Sequence, residues 1–139
     1  LGLVAEMGLS WILPRLVGAA RAADMLFSAR MVGADEALAM GMVNQVVPHD
    51  QLLEEARAYA AKLIETSSPW SMRTMKAQLY ADLDATVFQA YERAVTLADE
   101  AVVREDFKEG LKALIGKRAP QFGPLDPALA YIDRDPPTG

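Results

Sequence analysis

Hydrophobic positions recur at helical spacing along most of this chain. Between Ser10 and Val17 they are Trp11, Ile12, Leu13, Leu16 and Val17, which fits one side of a helix. Pro14 lies inside the run. It removes a backbone donor, so it is expected to kink or shorten that helix. Gly18 allows a break before a second helix, Ala19 to Ser28, on which Ala22, Met25 and Leu26 share a face. Gly33 is placed to open a third, short helix from Ala34 to Met40. Asp35 and Glu36 then fall in its first turn, where acidic groups suit the helix dipole. Gly41 is a natural breaker. Met42 to Val47 is the best strand candidate, closed by Pro48.

The pattern then stays helical. Asp50 is read as the cap of a long helix to about Glu65, with Leu52, Leu53, Ala56, Tyr59, Ala60, Leu63 and Ile64 on one face. Ser68 and Pro69 read as N-cap and first residue of the next helix, which runs to about Ala81 with Met72, Met75 and Leu79 in line. Asp84 is placed to cap another, striped by Val87, Phe88, Tyr91, Val95, Ala98 and Val102. A shorter helix from about Arg104 presents Phe107, Leu111, Leu114 and Ile115. It ends in the cluster Gly116, Lys117, Arg118, where cations suit the carbonyl end. Five prolines fall in the last twenty residues, so the tail reads as extended or loosely ordered. A lone strand is not stable in water. The partners of Met42 to Val47 are therefore expected in another segment or another chain. Together with the start at Leu1 in what reads as the middle of an element, this suggests a piece of a longer protein with an N-terminal half before it.

Composition narrows the chemistry. The 139 residues suit about one domain. Hydrophobic residues make up 52% and charged residues 24%, as in a soluble globular protein. A net charge of −5 gives no general attraction to nucleic acid or to an anionic membrane, and no apolar run is long enough to span a bilayer. Cysteine is absent, so there is no disulfide framework or thiolate metal site. The only histidine is His49, read as a surface residue at a helix start. No metal site is expected. The cytoplasm is the default location.

Glu6 is the carboxylate of interest. It stands at the mouth of the first helix, between an apolar run and Gly8. A carboxylate in an apolar pocket becomes a better base, because desolvation penalises its charge. Leu3, Val4, Met7, Leu9 and Trp11 flank Glu6 and could wall such a pocket. The plainer reading is that Glu6 only adds charge to a helix start, worth about 0.3–1 kcal/mol. Lys117 and Arg118 likewise read either as a solvated helix end or as cations for phosphate groups.

Three blocks resemble the enoyl-CoA hydratase/isomerase, or crotonase, family. GLVAEMGLSWILPRLVG is similar to its glycine-rich stretch and Leu-Pro-Arg-Leu-Val-Gly-like helix. ADEALAMGMVNQVVP resembles its acidic helix, glycine turn and Val-Val-Pro strand. EDFKEGLKALIGKRAPQF is similar to its C-terminal helix ending in Lys-Arg, Pro and Phe. The resemblance covers about Leu1 to Phe122. It implies an α/β crotonase-like fold, the ClpP/crotonase spiral of strand–strand–helix units, seen here as a mainly helical portion with one or two short strands. Residues 1–48 would belong to the core with the Glu6 loop. Residues 49–122 would form the C-terminal helical trimerisation region, and 123–139 a proline-rich tail.

The implied activity is that of a lyase or isomerase on acyl-CoA thioesters. Coenzyme A is part of the substrate, and no separate cofactor is implied. Such enzymes assemble as trimers or dimers of trimers. They stabilise a thioester enolate with two backbone N–H groups, which the resemblance places before Leu1, as it does the two glutamates of typical hydratases. Hydration of 2-enoyl-CoA is the first expectation. Glu6 matches the glutamate of the Pro-Glu-Gly-Gly-like motif of Δ3,Δ2-enoyl-CoA isomerases, with Ala5 for the proline and Met7 for the first glycine. Isomerisation with Glu6 as proton shuttle is the alternative. Met7 and Trp11 are candidate substrate contacts beside it. Lys117 matches a lysine that helps bind the coenzyme A of a neighbouring subunit, although Leu114 and Ala98 stand at the accompanying aromatic positions. A non-catalytic acyl-CoA-binding or oligomeric assembly protein is the third expectation.

Overall fold

The computed structural model describes residues 2–129. They form two compact units, divided between Glu55 and Ala56.

The first unit is organised by α1 (Leu9–Val17) and α2 (Ala19–Ser28), which pack together. One residue, Gly18, joins them at φ 84 and ψ 155, a conformation open essentially to glycine. Leu13 and Val17 of α1, Ala22 of α2 and Met40 make the buried cluster, with Met25, Leu26 and Val32 packed against it. The helix continues through Pro14 and ends at Val17. Proline therefore removes one rung of the ladder without stopping the helix, and the break comes at Gly18.

α3 (Ala34–Ala39) starts at Gly33, with Asp35 and Glu36 in its first turn. Its end is closed by two backbone bonds, Met42 N–H to the Ala37 carbonyl at 2.9 Å and Gly41 N–H to the Leu38 carbonyl at 3.0 Å. Gly41 takes φ 77, as the left-handed helix stop requires. Arg30 ties α2 to α3. Its guanidinium donates to both carboxylate oxygens of Glu36 at 2.9 and 2.6 Å and to Asp24 at 3.0 Å. These bonds hold Glu36 below the ordinary carboxylate range.

The expected strand at Met42 to Val47 does not form. These residues run as bend and irregular chain, and no strand occurs among the described residues. The β-branched pattern is present, but no neighbouring strand is there to accept its backbone bonds.

The second unit holds most of α4 (Leu52–Thr66), then α5 (Pro69–Asp82), α6 (Val87–Val102) and α7 (Glu105–Ile115), with α6 packed against both α5 and α7. A short 3₁₀ turn, His49–Gln51, precedes α4, so Asp50 lies within that turn and not at a simple cap. Ser68 caps α5 as expected, accepting from Ser71 N–H at 3.1 Å, with Pro69 at the first helical position. The buried Ser68 hydroxyl also donates to Asp106 in the first turn of α7, so one side chain joins two helix starts. α6 is capped by Thr86 and not by Asp84. The Thr86 side chain accepts from Gln89 N–H, and Gln89 reaches back to Thr86 N–H. This reciprocal pair satisfies two donors at the helix start, and Asp84 lies two residues before the cap position.

The apolar stripes are largely uncovered. α4 and α6 bury none of their residues, and Ile64 and Phe88 are 70% and 67% exposed. On α5 the half-buried positions include Arg73, Thr74, Ala77 and Gln78, whereas Met75 and Leu79 are exposed. Of the sequence stripe Met72 is half-buried, and it is the Met75 and Leu79 part that stays uncovered.

Just beyond α7 the chain is held to that helix, and residues 119–126 run without regular structure, as an extended tail does. Arg118 makes a two-pronged pair with Glu109 at 2.6 and 3.0 Å, and Gln121 N–H donates to Glu109 at 2.7 Å. Phe122 lies over Gly110. A 3₁₀ turn, Pro127–Leu129, follows. The part of the tail from 130 to 139 lies outside the described residues.

Glu109 carries the pH dependence of this brace. The Arg118 guanidinium, then the Gln121 N–H, hold its carboxyl down at about 2. A carboxyl with a lowered folded pKa contributes stability that is whole above its unfolded value and is lost as pH falls through the folded one. Unfolding midpoints are therefore expected to drop between pH 4.5 and about 2, and Glu109→Gln should flatten that part of the profile. An identical profile in the variant would contradict the brace.

Candidate functional site

Glu6 opens a tight turn. Leu9 N–H donates to the Glu6 carbonyl at 3.0 Å, and the two residues between, Met7 and Gly8, both have positive φ, 52 and 78. A turn with two left-handed central residues suits glycine. Gly8 meets that need, whereas Met7 bears a cost of about 1–2 kcal/mol. The Gly8 carbonyl then accepts from Trp11 and Ile12 N–H, both at 3.0 Å, and so starts α1. The turn fixes Glu6 immediately before the helix.

Glu6 lines an open hollow of about 610 Å³ with Leu3, Val4, Ala5, Leu9, Ser10, Leu26 and Phe27. It is the one ionisable group among these lining residues. Leu3, Val4 and Leu9 stand where the flanking sequence suggested. Met7 and Trp11 are not in the wall. Met7 is fully exposed. Trp11 lies under the Arg15 guanidinium, 4.0 Å from the ring centroid, and its carbonyl accepts from Arg15 at 2.9 Å.

Three wall residues, Ser10, Leu26 and Phe27, are not marked as site residues by the sequence. Leu26 was read only as core; it packs on the core and also reaches the hollow. Phe27 follows it by about 100° around the helix, off the core stripe and 87% exposed. Its position off the stripe was the available signal. Glu6 itself is exposed. The hollow therefore supplies an apolar wall on one side but does not enclose the carboxylate within this chain.

The second candidate region lies in the other unit. The helix end after α7 closes with Arg118 N–H to the Ala113 carbonyl at 3.1 Å and Lys117 N–H to the Leu114 carbonyl at 3.3 Å. This stop needs one left-handed residue. It falls on Lys117, φ 50, and not on Gly116, φ −77. The two cations are thereby separated in role. Arg118 is committed to Glu109, whereas Lys117 is exposed and makes no ion pair among the described residues. His49 is an exposed residue of its 3₁₀ turn. Trp70 is buried beneath Arg104, 4.3 Å from its centroid, as a packing residue. Among the described residues no group of three or more acidic or histidine side chains is arranged to hold a metal ion, and no helix is long and apolar enough to cross a membrane.

A family model for enoyl-CoA hydratase/isomerase matches residues 1–124. The chain belongs to the enoyl-CoA hydratase/isomerase family. Among the relatives it resembles is a probable enoyl-CoA hydratase of Mycobacterium tuberculosis, 37% identical over 119 residues, which are 84% of this chain and 41% of that protein. A putative enoyl-CoA hydratase of Thermus thermophilus is 41% identical over 124 residues, 88% of this chain and 47% of that protein. The crystal structure of a probable enoyl-CoA hydratase/isomerase from Mycobacterium abscessus superposes with a TM-score of 0.84 at 26% identity, over 88% of this chain and 50% of that one. An enoyl-CoA hydratase from Bacillus anthracis gives 0.82 at 27%, over 87% and 46%. The fold is accordingly that of the crotonases, of which these residues form a mainly helical portion. The chain spans about half the length of the relatives it matches.

Proposed function

We propose that this chain forms part of an acyl-CoA enzyme in which the Glu6 hollow is one wall of the acyl-thioester site. The observation that carries this reading is the placing of one carboxylate against Leu3, Val4, Leu9, Leu26 and Phe27. An acyl chain suits the apolar wall, and a carboxylate at its edge can move a proton. The hydrogens on C2 of a thioester are weakly acidic. Their removal needs a base and donors to the developing oxyanion.

The relatives named enoyl-CoA hydratase favour addition of water to 2-enoyl-CoA. The water oxygen bonds to C3, its proton goes to a carboxylate, and C2 of the resulting enolate takes up a proton. That Glu6 is the one ionisable residue of its hollow favours a second reading, one-base isomerisation. There Glu6 removes a C2 proton from 3-enoyl-CoA, the double bond shifts, and the proton returns at C4. In both, coenzyme A enters with the substrate and no separate cofactor is used. Lys117, left exposed by the commitment of Arg118, is available to a coenzyme A phosphate, and Trp11 and Met7 are peripheral contacts.

The same reading includes assembly. The apolar stripes of α4 and α6 are uncovered, exposed apolar patches mark interaction surfaces, and a homotrimer or a dimer of trimers would cover part of them. The cytoplasm is the proposed location.

In the full-length protein, Glu6→Gln is expected to lower turnover of 2-enoyl-CoA or 3-enoyl-CoA by about a hundred- to ten-thousand-fold. The substrate that suffers tells hydration from isomerisation. Unchanged rates on both would overturn the role of Glu6. Sedimentation of the full-length protein should show an oligomer, and a well-folded monomer at high concentration would count against the assembly.

A further inference from the structure

The Glu6 hollow has two sides of different origin. Glu6 comes with the chain that leads into α1, whereas Leu26 and Phe27 come from the last turn of α2. Gly18 alone joins these two packed helices, and the start of one and the end of the other border the same space.

Leu26 and Phe27 are held differently. Leu26 is half-buried and packs against the core cluster, so its place is set from within. Phe27 stands outside that packing and is 87% exposed. Its backbone is nevertheless fixed on both sides. Met25 and Leu26 before it rest on the core, and α2 closes just after it with Ala29 N–H on the Met25 carbonyl at 3.1 Å. Arg30 then ties back to Asp24 of the same helix and across to Glu36 of α3. A firm mount with an uncommitted ring suits a binding wall. Ordering an aromatic side chain costs little, because few torsions have to be fixed, and the ring offers a large apolar area.

The hollow also has a polarity. Glu6 is the one ionisable group among its lining residues, so the reacting carbons C2 to C4 of an acyl thioester belong on that side. The α2 side is left for what lies beyond them. A four-carbon acyl group leaves most of the about 610 Å³ unfilled.

We propose, resting on the acyl-CoA reading of this hollow, that Phe27 is the contact for the distal part of the acyl chain. Phe27 is then a specificity-determining residue, and the preferred substrates are thioesters of medium-chain or longer acyl groups, whose methylenes beyond C4 cover its ring.

The test is calorimetric binding of butyryl-, octanoyl- and dodecanoyl-CoA to the full-length protein. These saturated thioesters undergo neither hydration nor isomerisation. Each methylene that meets the wall is expected to raise affinity about fourfold. Phe27→Ala should leave butyryl-CoA unaffected and weaken the two longer thioesters by about ten- to a hundredfold. Phe27→Leu, which keeps an apolar side chain there, should retain most of the length dependence. Equal binding of the whole series by the native protein and Phe27→Ala would overturn the role of Phe27. An equal loss at every chain length would also overturn it, since a merely structural residue gives that result. Failure of the Glu6 role shows separately, as unchanged turnover in Glu6→Gln, and does not touch the binding series. Absence of acyl-CoA binding by the native protein would overturn both.

Discussion

Uncovered apolar surface is the constraint on which the rest of this structure depends. Seven apolar residues are buried among those described, and two of the longest helices, α4 and α6, bury none of theirs. Burial of apolar area is the main favourable term in folding. Helices of this kind take most of their stability from a packed face and not from propensity. Here the faces are present and well patterned, but within each unit they meet few neighbours. What holds each unit together is correspondingly local. It consists of the Leu13–Val17–Ala22–Met40 cluster, the Arg30 tie between α2 and α3, the Ser68 link from α5 to α7, and the Glu109 brace beyond α7.

That constraint also explains which features could be read from the sequence. Breaks set by single residues were legible, because their physics is local. Gly18, Gly41 and the Ser68–Pro69 pair stand where helices stop or start, and α2 has the bounds its pattern gives. Features that depend on a neighbour were not. Met42 to Val47 has strand composition without a strand beside it. Met75 and Leu79 form a stripe that α6 does not cover. The cap of α6 at Thr86, where Asp84 is the expectation, has a local cause: the Thr86–Gln89 spacing of a capping box is present in the sequence. The family was legible from three short blocks, since their order and spacing are specific even where single residues depart.

The candidate site follows the same division. Glu6 was marked by its place before Gly8, and the turn bears out that local geometry. The wall around it was only partly visible, because Leu26 and Phe27 arrive from α2 through the packing of two helices. Met7 departs from a glycine-rich motif at a position that the structure shows to be left-handed. The motif's glycine thus has a backbone reason, and Met7 keeps the same turn at a conformational cost. At the other end, Lys117 and Arg118 look equivalent in sequence. A helix stop and one carboxylate separate them, leaving Lys117 exposed.

The central proposal is that Glu6 exchanges a proton with C2 of a bound acyl thioester. Hydration and isomerisation both contain proton exchange at C2, which the isomerisation reading gives to Glu6, but each adds further steps. A saturated acyl-CoA undergoes neither reaction, so loss of its C2 hydrogens to solvent isolates the proton transfer. The most direct measurement is deuterium uptake at C2 of a saturated acyl-CoA in heavy water, catalysed by the full-length protein and by Glu6→Gln. The account predicts uptake with the native protein and its near loss in the variant, with acyl-CoA binding retained. Equal uptake by the two proteins would contradict it.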